Sequence, residues 1–114
     1  MKRFTSLKNN YEFRRLYYKG KSAAGSRLVL YVRPNKLERN RLGITVGTKI
    51  GKAVIRNRVR RRIREIFRLN EDKLACGRDL VVVARSRSII SEYRELENEF
   101  LRLADKLGLL VCSE

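Results

Sequence analysis

The residues best suited to chemistry form one dense run of cations in the middle of the chain. Between positions 52 and 68 the basic residues are Lys52, Arg56, Arg58, Arg60, Arg61, Arg62, Arg64 and Arg68, and the only acid is Glu65. Guanidinium groups donate paired hydrogen bonds to phosphate oxygens and stack on nucleobases. A run of this type and density predicts contact with a nucleic-acid backbone.

The apolar residues of this run recur at three- and four-residue steps, which predicts a helix from about Ala53 to Leu69. Its apolar stripe would be Ile55, Val59, Ile63, Ile66 and Phe67. At about 100° per residue, Asn57, Arg61, Arg64 and Arg68 project opposite this stripe, Arg56 and Arg60 flank one side, and Arg58 and Arg62 flank the other. A solvated charged face is the alternative, but such a face would normally contain more Glu. We therefore expect a helix that is anchored by one stripe and cationic elsewhere.

The loop before this helix, from Gly47 to Lys52, brings Lys49 and Lys52 to the N-terminal end of the helix. Glycine-bearing loops that precede helices can hold phosphate groups. The Gly-Lys-Ser/Thr unit of a nucleotide-binding P-loop is absent. The loop is therefore predicted to contact an RNA backbone, and no nucleotide cofactor is expected.

Three aromatic residues could complement the cations. Phe13 and Tyr17 are one helical turn apart and share a face, and Tyr31 lies on a β-rich segment with Val29 and Arg33 on its side. Aromatic rings beside cations form stacking platforms for unpaired bases, worth roughly 1–3 kcal/mol per base. The alternative, that these rings are simply core residues under a sheet, stays open at this point.

No catalytic residue is predicted within the polypeptide. The chain has no histidine, which removes the usual general base and the commonest metal ligand. Cys76 and Cys112 fit no metal or redox spacing. The acids Glu95, Glu97 and Glu99 are interpreted as the solvated face of the last helix. The protein is therefore not expected to cleave a substrate by itself or to hold a metal ion.

The overall composition agrees with a polyanionic partner. The chain has 114 residues, enough for one domain over 1–114, and its 28 Lys and Arg against 12 Asp and Glu leave a net charge of +16. The self-repulsion of so many cations is offset when phosphates bind and condensed counterions are released. No apolar run is long enough to span a membrane, and no apolar signal region follows the basic start Met1–Thr5, so a cytoplasmic location is expected.

The other predicted elements would position these surfaces. A first helix should start near Asn9, with Glu12 in a reciprocal cap, and end at Gly20. Strands at 27–33 and 42–46 would form a hairpin, and an apolar strand at 79–84 would be covered on both faces. A last helix should start near Ser91 and end at Gly108. The order α-β-β-α-β-α predicts an α+β fold in which helices pack on a sheet.

On these features the chain resembles the bacterial ribonuclease P protein component family. The segment Gly51-Lys52-Ala53-Val54-x-Arg56-Asn57-Arg58-x-x-Arg61-x-x-Arg64-Glu65 matches the Arg-Asn-Arg signature of the family and its basic continuation. Further similarity lies in 7–20 with Phe13 and Tyr17, in 29–31, and in 82–85. The resemblance covers nearly the whole length.

The resemblance implies a fold and separate roles for the protein and a partner RNA. The fold would be a two-layer α+β sandwich with a left-handed β-α-β crossover, akin to a domain of some ribosomal proteins. The general preference for right-handed crossovers would have suggested the opposite hand. The partners would be a catalytic RNA and precursor tRNA, and the RNA would remove the 5′ leader with Mg²⁺ that it mainly binds itself. The protein would be an accessory subunit of this endonuclease.

The resemblance also implies roles for particular residues. Phe13, Tyr17 and Tyr31 would line a cleft for the single-stranded leader. The residues that would face RNA are Lys49, Lys52, Arg56, Asn57, Arg58, Arg61 and Arg64, to which the cationic helix adds Arg60, Arg62 and Arg68.

Three other interpretations fit parts of the sequence. A ribosomal protein would share the charge and the basic helix, but it would not need an aromatic cleft for single strands. A DNA-binding regulator would use 53–69 as a recognition helix, yet only Asn57 is suited to recognising adenine. A protein-only nuclease would need catalytic residues that this chain lacks.

Overall fold

The computed structural model describes residues 4–111, so residues 1–3 and 112–114, among them Cys112, lie outside the described residues. The elements are β1 (Thr5–Ser6), α1 (Asn10–Lys19), β2 (Lys21–Ala24), β3 (Leu28–Pro34), β4 (Arg41–Thr45), α2 (Ala53–Asn70), β5 (Arg78–Ala84) and α3 (Tyr93–Lys106). Single 3₁₀ turns lie at Thr48–Ile50, Glu71–Lys73 and Ser86–Ile89. None of the helices within 4–111 has the length and apolar character needed to cross a membrane.

The strands form one mixed sheet in the order β1-β4-β5-β3-β2. β5 is central: it pairs antiparallel with β3 along its whole length and parallel with β4. β1 pairs parallel with β4, and β2 pairs antiparallel with β3. Helix α2 therefore connects two adjacent parallel strands, β4 and β5. The α+β class that was predicted from the sequence is confirmed.

The predicted hairpin is wrong, because β3 and β4 do not pair with each other. β5 lies between them, with Tyr31 and Gly43 both opposite Val81. The run Leu80–Val83 is the most apolar of the strands and gains most from a central place, where both of its faces are covered. Two short polar strands, β1 and β2, were not predicted, since they alternate weakly and become strands only by pairing with longer neighbours.

Helices cover both faces of the sheet. Leu30, Leu80 and Val82 pack in the main core under α2 and α3, together with Phe67 and Phe100. On the opposite face, Leu16 of α1 packs in a small cluster with Leu7 and Val81. The predicted sandwich of sheet and helices is therefore present, and α1 adds a thin further layer on the second face. β5 is covered on both faces, as its unbroken apolar run predicts.

The helix ends differ in part from the prediction. Asn9 is the N-cap of α1, but its side chain makes no capping hydrogen bond, so the predicted reciprocal cap with Glu12 is wrong. The carboxylate of Glu12 instead pairs with Arg41 on the sheet. α3 begins at Tyr93 after a reciprocal cap, in which the side chains of Glu92 and Glu95 each accept a hydrogen bond from the backbone N–H of the other residue.

The interpretation of the α3 acids as a solvated face is also wrong. Glu99 is 2% exposed, and its carboxylate accepts hydrogen bonds from the backbone N–H groups of Arg27 and Leu28, at 2.8 and 2.7 Å. The guanidinium of Arg27 reaches the same carboxylate at 3.1 Å. Glu97 accepts a hydrogen bond from Asn70. These acids therefore fasten α3 to the start of β3 and to the end of α2.

Candidate nucleic-acid interface

A cluster of charged side chains fixes α1 across the sheet. Arg41 donates to both carboxylate oxygens of Asp79, at 2.8 and 2.7 Å, and reaches Glu12 of α1 at 2.8 Å. The hydrogen bonds to Asp79 are the main reason that the pKa of Arg41 lies above its ordinary value. The guanidinium is therefore a permanent cation that ties the first turn of α1 to β4 and β5.

The three predicted cleft aromatics lie together between α1 and the sheet. The rings of Tyr17 and Tyr31 meet edge to face, with centroids 4.9 Å apart. The hydroxyl groups of Tyr17 and Thr45 are hydrogen-bonded at 3.0 Å. Phe13 is half-buried and packs directly on Gly43. Tyr17 keeps 38% of its surface exposed, so its ring is held in place and still accessible.

An open groove of 660 Å³ extends from Phe13 and Tyr17 to the basic helix. It is lined by Asn10, Phe13, Arg14, Tyr17, Ile44, Thr45, Val46 and Arg60. Tyr31 does not line it and instead supports the ring of Tyr17. One wall is α1, the floor is the end of β4, and the far rim is the exposed side of α2. We call this the aromatic groove. Its lining combines rings, apolar floor and cations, which is the composition that binds single-stranded nucleic acid.

The contact between Phe13 and Gly43 yields a prediction about the groove. A Cβ added at Gly43 would overlap Cε1 of Phe13, so G43A should push Phe13 and α1 away from the sheet. Overpacking of this kind costs about 1–3 kcal/mol, which urea unfolding followed by circular dichroism can measure. G47A is the matched control, because a Cβ there meets nothing within 4 Å. Equal unfolding midpoints for the two variants would contradict the prediction.

The basic helix is anchored as the sequence predicted. Val59, Ile63, Ile66 and Phe67 are buried in the main core, whereas Ile55 is only partly buried at its edge. The opposite side of the helix consists of exposed cations. The apolar stripe therefore holds the backbone rigidly, and the arginines project from a fixed base.

Three arginines of α2 are exposed and have no partner within the described part of the protein. Arg58, Arg61 and Arg64 make no hydrogen bond or ion pair with any of the residues 4–111. The same holds, over this described range, for the side chains of Lys49 and Lys52. No acid lies in the first turn of α2, so the positive end of the helix dipole adds to this field. The five side chains form an unneutralised cationic surface.

The other five predicted contact residues of α2, including Asn57, have partners in the protein. Arg56 donates to the carbonyl of Gly51 at 3.1 Å, and Arg60 donates to the side chain of Asn57 at 3.1 Å. Arg62 donates to the carbonyl of Ser91 at 2.8 Å, and Arg68 pairs with Glu65 through two hydrogen bonds. The bond from Arg68 lowers the pKa of Glu65, and in return it raises the pKa of Arg68. Arg62 thus connects α2 to the segment before α3, and Arg68 pairs with an acid of its own helix. Arg60 also lines the aromatic groove.

Sequence reasoning missed several groove residues. Thr45 and Ile44 are in the groove because β4 ends beside Tyr17, and this register cannot be derived from local periodicity. Arg14 could have been found, since it is three residues before Tyr17 and lies on the adjoining face of α1. Its exposed guanidinium gives the groove a second cation besides Arg60.

The described residues do not fit a magnesium site. No group of three or more His, Cys, Asp or Glu side chains that could hold a metal occurs within 4–111. None of the described residues that line the aromatic groove is acidic, and the acids Glu12 of α1 and Asp79 of β5 are both paired with Arg41. Cys76 is a free, exposed thiol. No step of the chemistry is therefore assigned to a metal held by these side chains.

Comparisons with known proteins agree with this architecture. A family model for ribonuclease P matches residues 1–108. The chain is 44% identical over 110 residues to the ribonuclease P protein component of Natranaerobius thermophilus, covering 96% of each chain. It is 48% identical over 105 residues to that of Clostridium kluyveri, covering 90% of this chain and 94% of the relative.

Solved structures show the same fold. The RNase P protein of Staphylococcus aureus superposes with a TM-score of 0.85 at 32% identity, covering 93% of this chain and 97% of the other. The RNase P protein of Thermotoga maritima gives a TM-score of 0.79 at 32% identity, with coverages of 85% and 92%.

A mixed sheet that carries a rigid cationic helix beside an aromatic groove defines a small basic RNA-binding protein of the α+β class. Within that class the match spans almost the whole chain and is supported by both sequence and structure. The chain belongs to the bacterial ribonuclease P protein component family. It is thus an accessory subunit of a ribonucleoprotein endoribonuclease, and neither a ribosomal protein nor a DNA-binding regulator.

Proposed function

We propose that the chain assists removal of the 5′ leader of precursor tRNA through two distinct surfaces. The exposed cations of the basic helix and its preceding loop dock on the catalytic RNA. The aromatic groove holds the single-stranded leader of the substrate. The observation that carries this proposal is the groove itself, in which Phe13 and Tyr17 face Arg60 of the basic helix across one continuous cavity.

The docking surface acts mainly through phosphate contacts. Arg58, Arg61 and Arg64 project from a helix whose opposite face is buried, so little conformational freedom of the backbone is lost when RNA binds. Their guanidinium groups make no ion pair within the described residues, so no such pair has to break before they bind phosphate. Contacts of this kind position the two molecules and carry little sequence information.

The groove supports a different kind of contact. Tyr17 is oriented by Tyr31 and by Thr45, so its exposed face is pre-organised for a stacked base. Arg14 and Arg60 lie where they can accompany the backbone of that strand. Stacking tolerates any base, because every base has a π face. This suits a subunit that must accept leaders of many sequences.

The protein itself supplies binding and orientation in this proposal. Hydrolysis is assigned to the partner RNA with its Mg²⁺, since the chain lacks histidine and none of the described residues that line the aromatic groove is acidic. Holding the leader beside the docking surface would present the cleavage site to the RNA in a fixed geometry. We place this activity in the cytoplasm, where the catalytic RNA and precursor tRNA would be its partners.

Loss of the aromatic pair tests the role of the groove. The variant Y17A/Y31A should weaken binding of precursor tRNA to the assembled holoenzyme by about 5–150-fold, which corresponds to one missing stacking interaction of roughly 1–3 kcal/mol. Equilibrium binding of leader-bearing and leaderless tRNA would be measured side by side. The effect should be confined to the leader-bearing substrate.

Tyr18 provides a matched control for this experiment. Its ring is 86% exposed and does not line the aromatic groove. Y18A should leave both affinities close to those of the unmodified protein. An equal loss for both tRNAs in Y17A/Y31A, or a similar loss in Y18A, would contradict the assignment of the groove to the leader.

A further inference from the structure

A second cationic groove lies at the opposite end of the sheet, where β3 ends and β5 begins. Its cavity of 430 Å³ is bordered by four cations, Lys19, Lys21, Arg33 and Arg78, and its floor includes the buried side chains of Val32 and Leu109. None of the described residues that line this cavity is acidic. Neither the basic helix nor the aromatic groove contributes to it.

An adjacent cavity borders this groove at the end of β3. It has a volume of 230 Å³, shares Arg33 and Pro34 with the first cavity, and adds the cations Arg15 and Lys36. Among the described residues its only acid is Asp79, whose two carboxylate oxygens are both occupied by Arg41. The first cavity lies beside the main core at Val32 and Leu109, the second lies under α1 at Arg15, and they meet at the end of β3. Together they carry a strong excess of positive charge, and we call them the distal groove.

The cations of the distal groove are largely uncommitted. The side chains of Lys19, Lys21 and Arg33 make no hydrogen bond or ion pair with the described part of the chain. Arg78 donates only to backbone carbonyls, those of Cys76 and Gly77. Like charges gathered without acids repel one another, and a bound polyanion would remove that cost.

The second cavity of the distal groove lies on the same face of the sheet as Tyr31. Tyr31 and Arg33 are two residues apart on β3, so their side chains share a face and lie about 7 Å apart along the strand. Lys19 follows Tyr17 at the end of α1, and Lys21 begins the neighbouring strand. A chain that leaves the ring of Tyr31 in this direction would therefore meet Arg33 next.

We propose that the distal groove binds the phosphates of single-stranded RNA that extends beyond the aromatic groove. The proposal rests on the assignment of the aromatic groove to the leader, and it adds a second subsite for leaders long enough to reach it. A strand fits better than a free nucleotide, because two cavities joined at Arg33 form a track and not an isolated pocket. The distal groove would select leaders by their phosphate charge and by their length, and not by their base sequence.

The test uses the holoenzyme with two precursor tRNAs, one with a leader that fills only the aromatic groove and one with a longer unstructured leader. The long leader should bind more tightly to the unmodified protein. The variant K19Q/K21Q/R33Q should remove about tenfold of that advantage and lower the salt slope by roughly 2, at about 0.7 for each phosphate that is no longer neutralised. It should leave binding of the short-leader substrate unchanged.

Two further variants separate binding from folding and from bulk charge. Lys36 has a φ of 63°, a conformation that glycine adopts without steric cost, so K36G should keep the turn and still reduce the long-leader advantage by a smaller factor. The control K73Q/R94Q/K106Q removes the same number of charges from exposed positions whose side chains make no ion pair within the described residues and do not line either distal cavity. It should retain the long-leader advantage.

Other results would overturn the proposal. A triple variant that behaves like its charge-matched control, or that loses the same factor with both leaders, excludes a distal subsite. If this happens while Y17A/Y31A still weakens leader binding, the function of the aromatic groove stands and only the distal groove is wrong. If Y17A/Y31A is also without effect, the proposed function itself fails.

Discussion

Replacement of Arg58, Arg61 and Arg64 by alanine is expected to weaken binding of the catalytic RNA by about 10²–10³-fold, or about 3–4 kcal/mol. Each guanidinium–phosphate pair that is removed should account for roughly 1–1.5 kcal/mol. The three side chains are exposed and have no partner within residues 4–111, so their removal leaves no buried group unsatisfied. The fold should therefore be unaffected.

The salt dependence of RNA binding distinguishes a loss of phosphate contacts from other causes of weaker binding. Because three phosphates would no longer be neutralised, the slope of log affinity against log salt should become less steep by about 2–3 units. Filter binding of labelled catalytic RNA over a range of salt concentrations would measure both quantities. K73A/R94A/K106A removes the same charge from exposed side chains that make no ion pair within the described residues, and it should change the affinity far less. Equal losses in the two triple variants would show that only net charge matters and would contradict a defined docking surface.

Replacement of Glu99 by alanine is expected to lower the free energy of unfolding by about 3–5 kcal/mol, a large part of the ~5–15 kcal/mol typical of a small domain. The carboxylate is 2% exposed and accepts from the backbone of Arg27 and Leu28 and from the guanidinium of Arg27. Its removal leaves these donors without their acceptor and opens the space beside Gly25, where the carboxylate now packs.

Urea unfolding at fixed pH and salt would measure this effect. D105A is the matched control, because Asp105 is an exposed acid on the same helix, and its loss should change stability by less than about 0.5 kcal/mol. E99Q should fall between the two, since an amide keeps the shape but only part of the accepting capacity. A loss in E99A no larger than in D105A would show that β3 is not fastened to α3 through this carboxylate.

The basic helix could be predicted well because its signals are local. The spacing of Val59, Ile63, Ile66 and Phe67 specifies which side is buried, and the arginines then fall on the remaining surface. The α2 boundaries, Ala53–Asn70, match the predicted 53–69 almost to the residue. The alternation of Leu28, Leu30 and Val32 against Tyr31 likewise predicted the faces of β3.

The features that could not be predicted depend on pairing between distant segments. β3 and β4 are close in sequence and would suit a hairpin, but both gain more by pairing with the apolar strand β5. The contact of Phe13 with Gly43 and the bond of Tyr17 to Thr45 exist only because β4 has that place in the sheet.

Local sequence patterns also fail to predict the partners of some charged residues. Glu99 resembles its neighbours Glu95 and Glu97 in sequence, and only the packing of α3 against the start of β3 buries it. Glu12 has the spacing of a helix cap, yet the carboxylate binds Arg41 because that guanidinium is already held by Asp79 beneath α1. A charge that serves the fold and a charge that serves RNA can therefore look alike until the sheet is assembled.

The most direct test of the whole account is cleavage of a 5′-extended precursor tRNA at low Mg²⁺ concentration. The reaction would contain the catalytic RNA alone, the protein alone, or both together. We expect cleavage at the mature 5′ end only in the mixture, with none from the protein alone. Cleavage by the protein alone would contradict the assignment of the chemistry to RNA, and a mixture no more active than the RNA alone would contradict the accessory role.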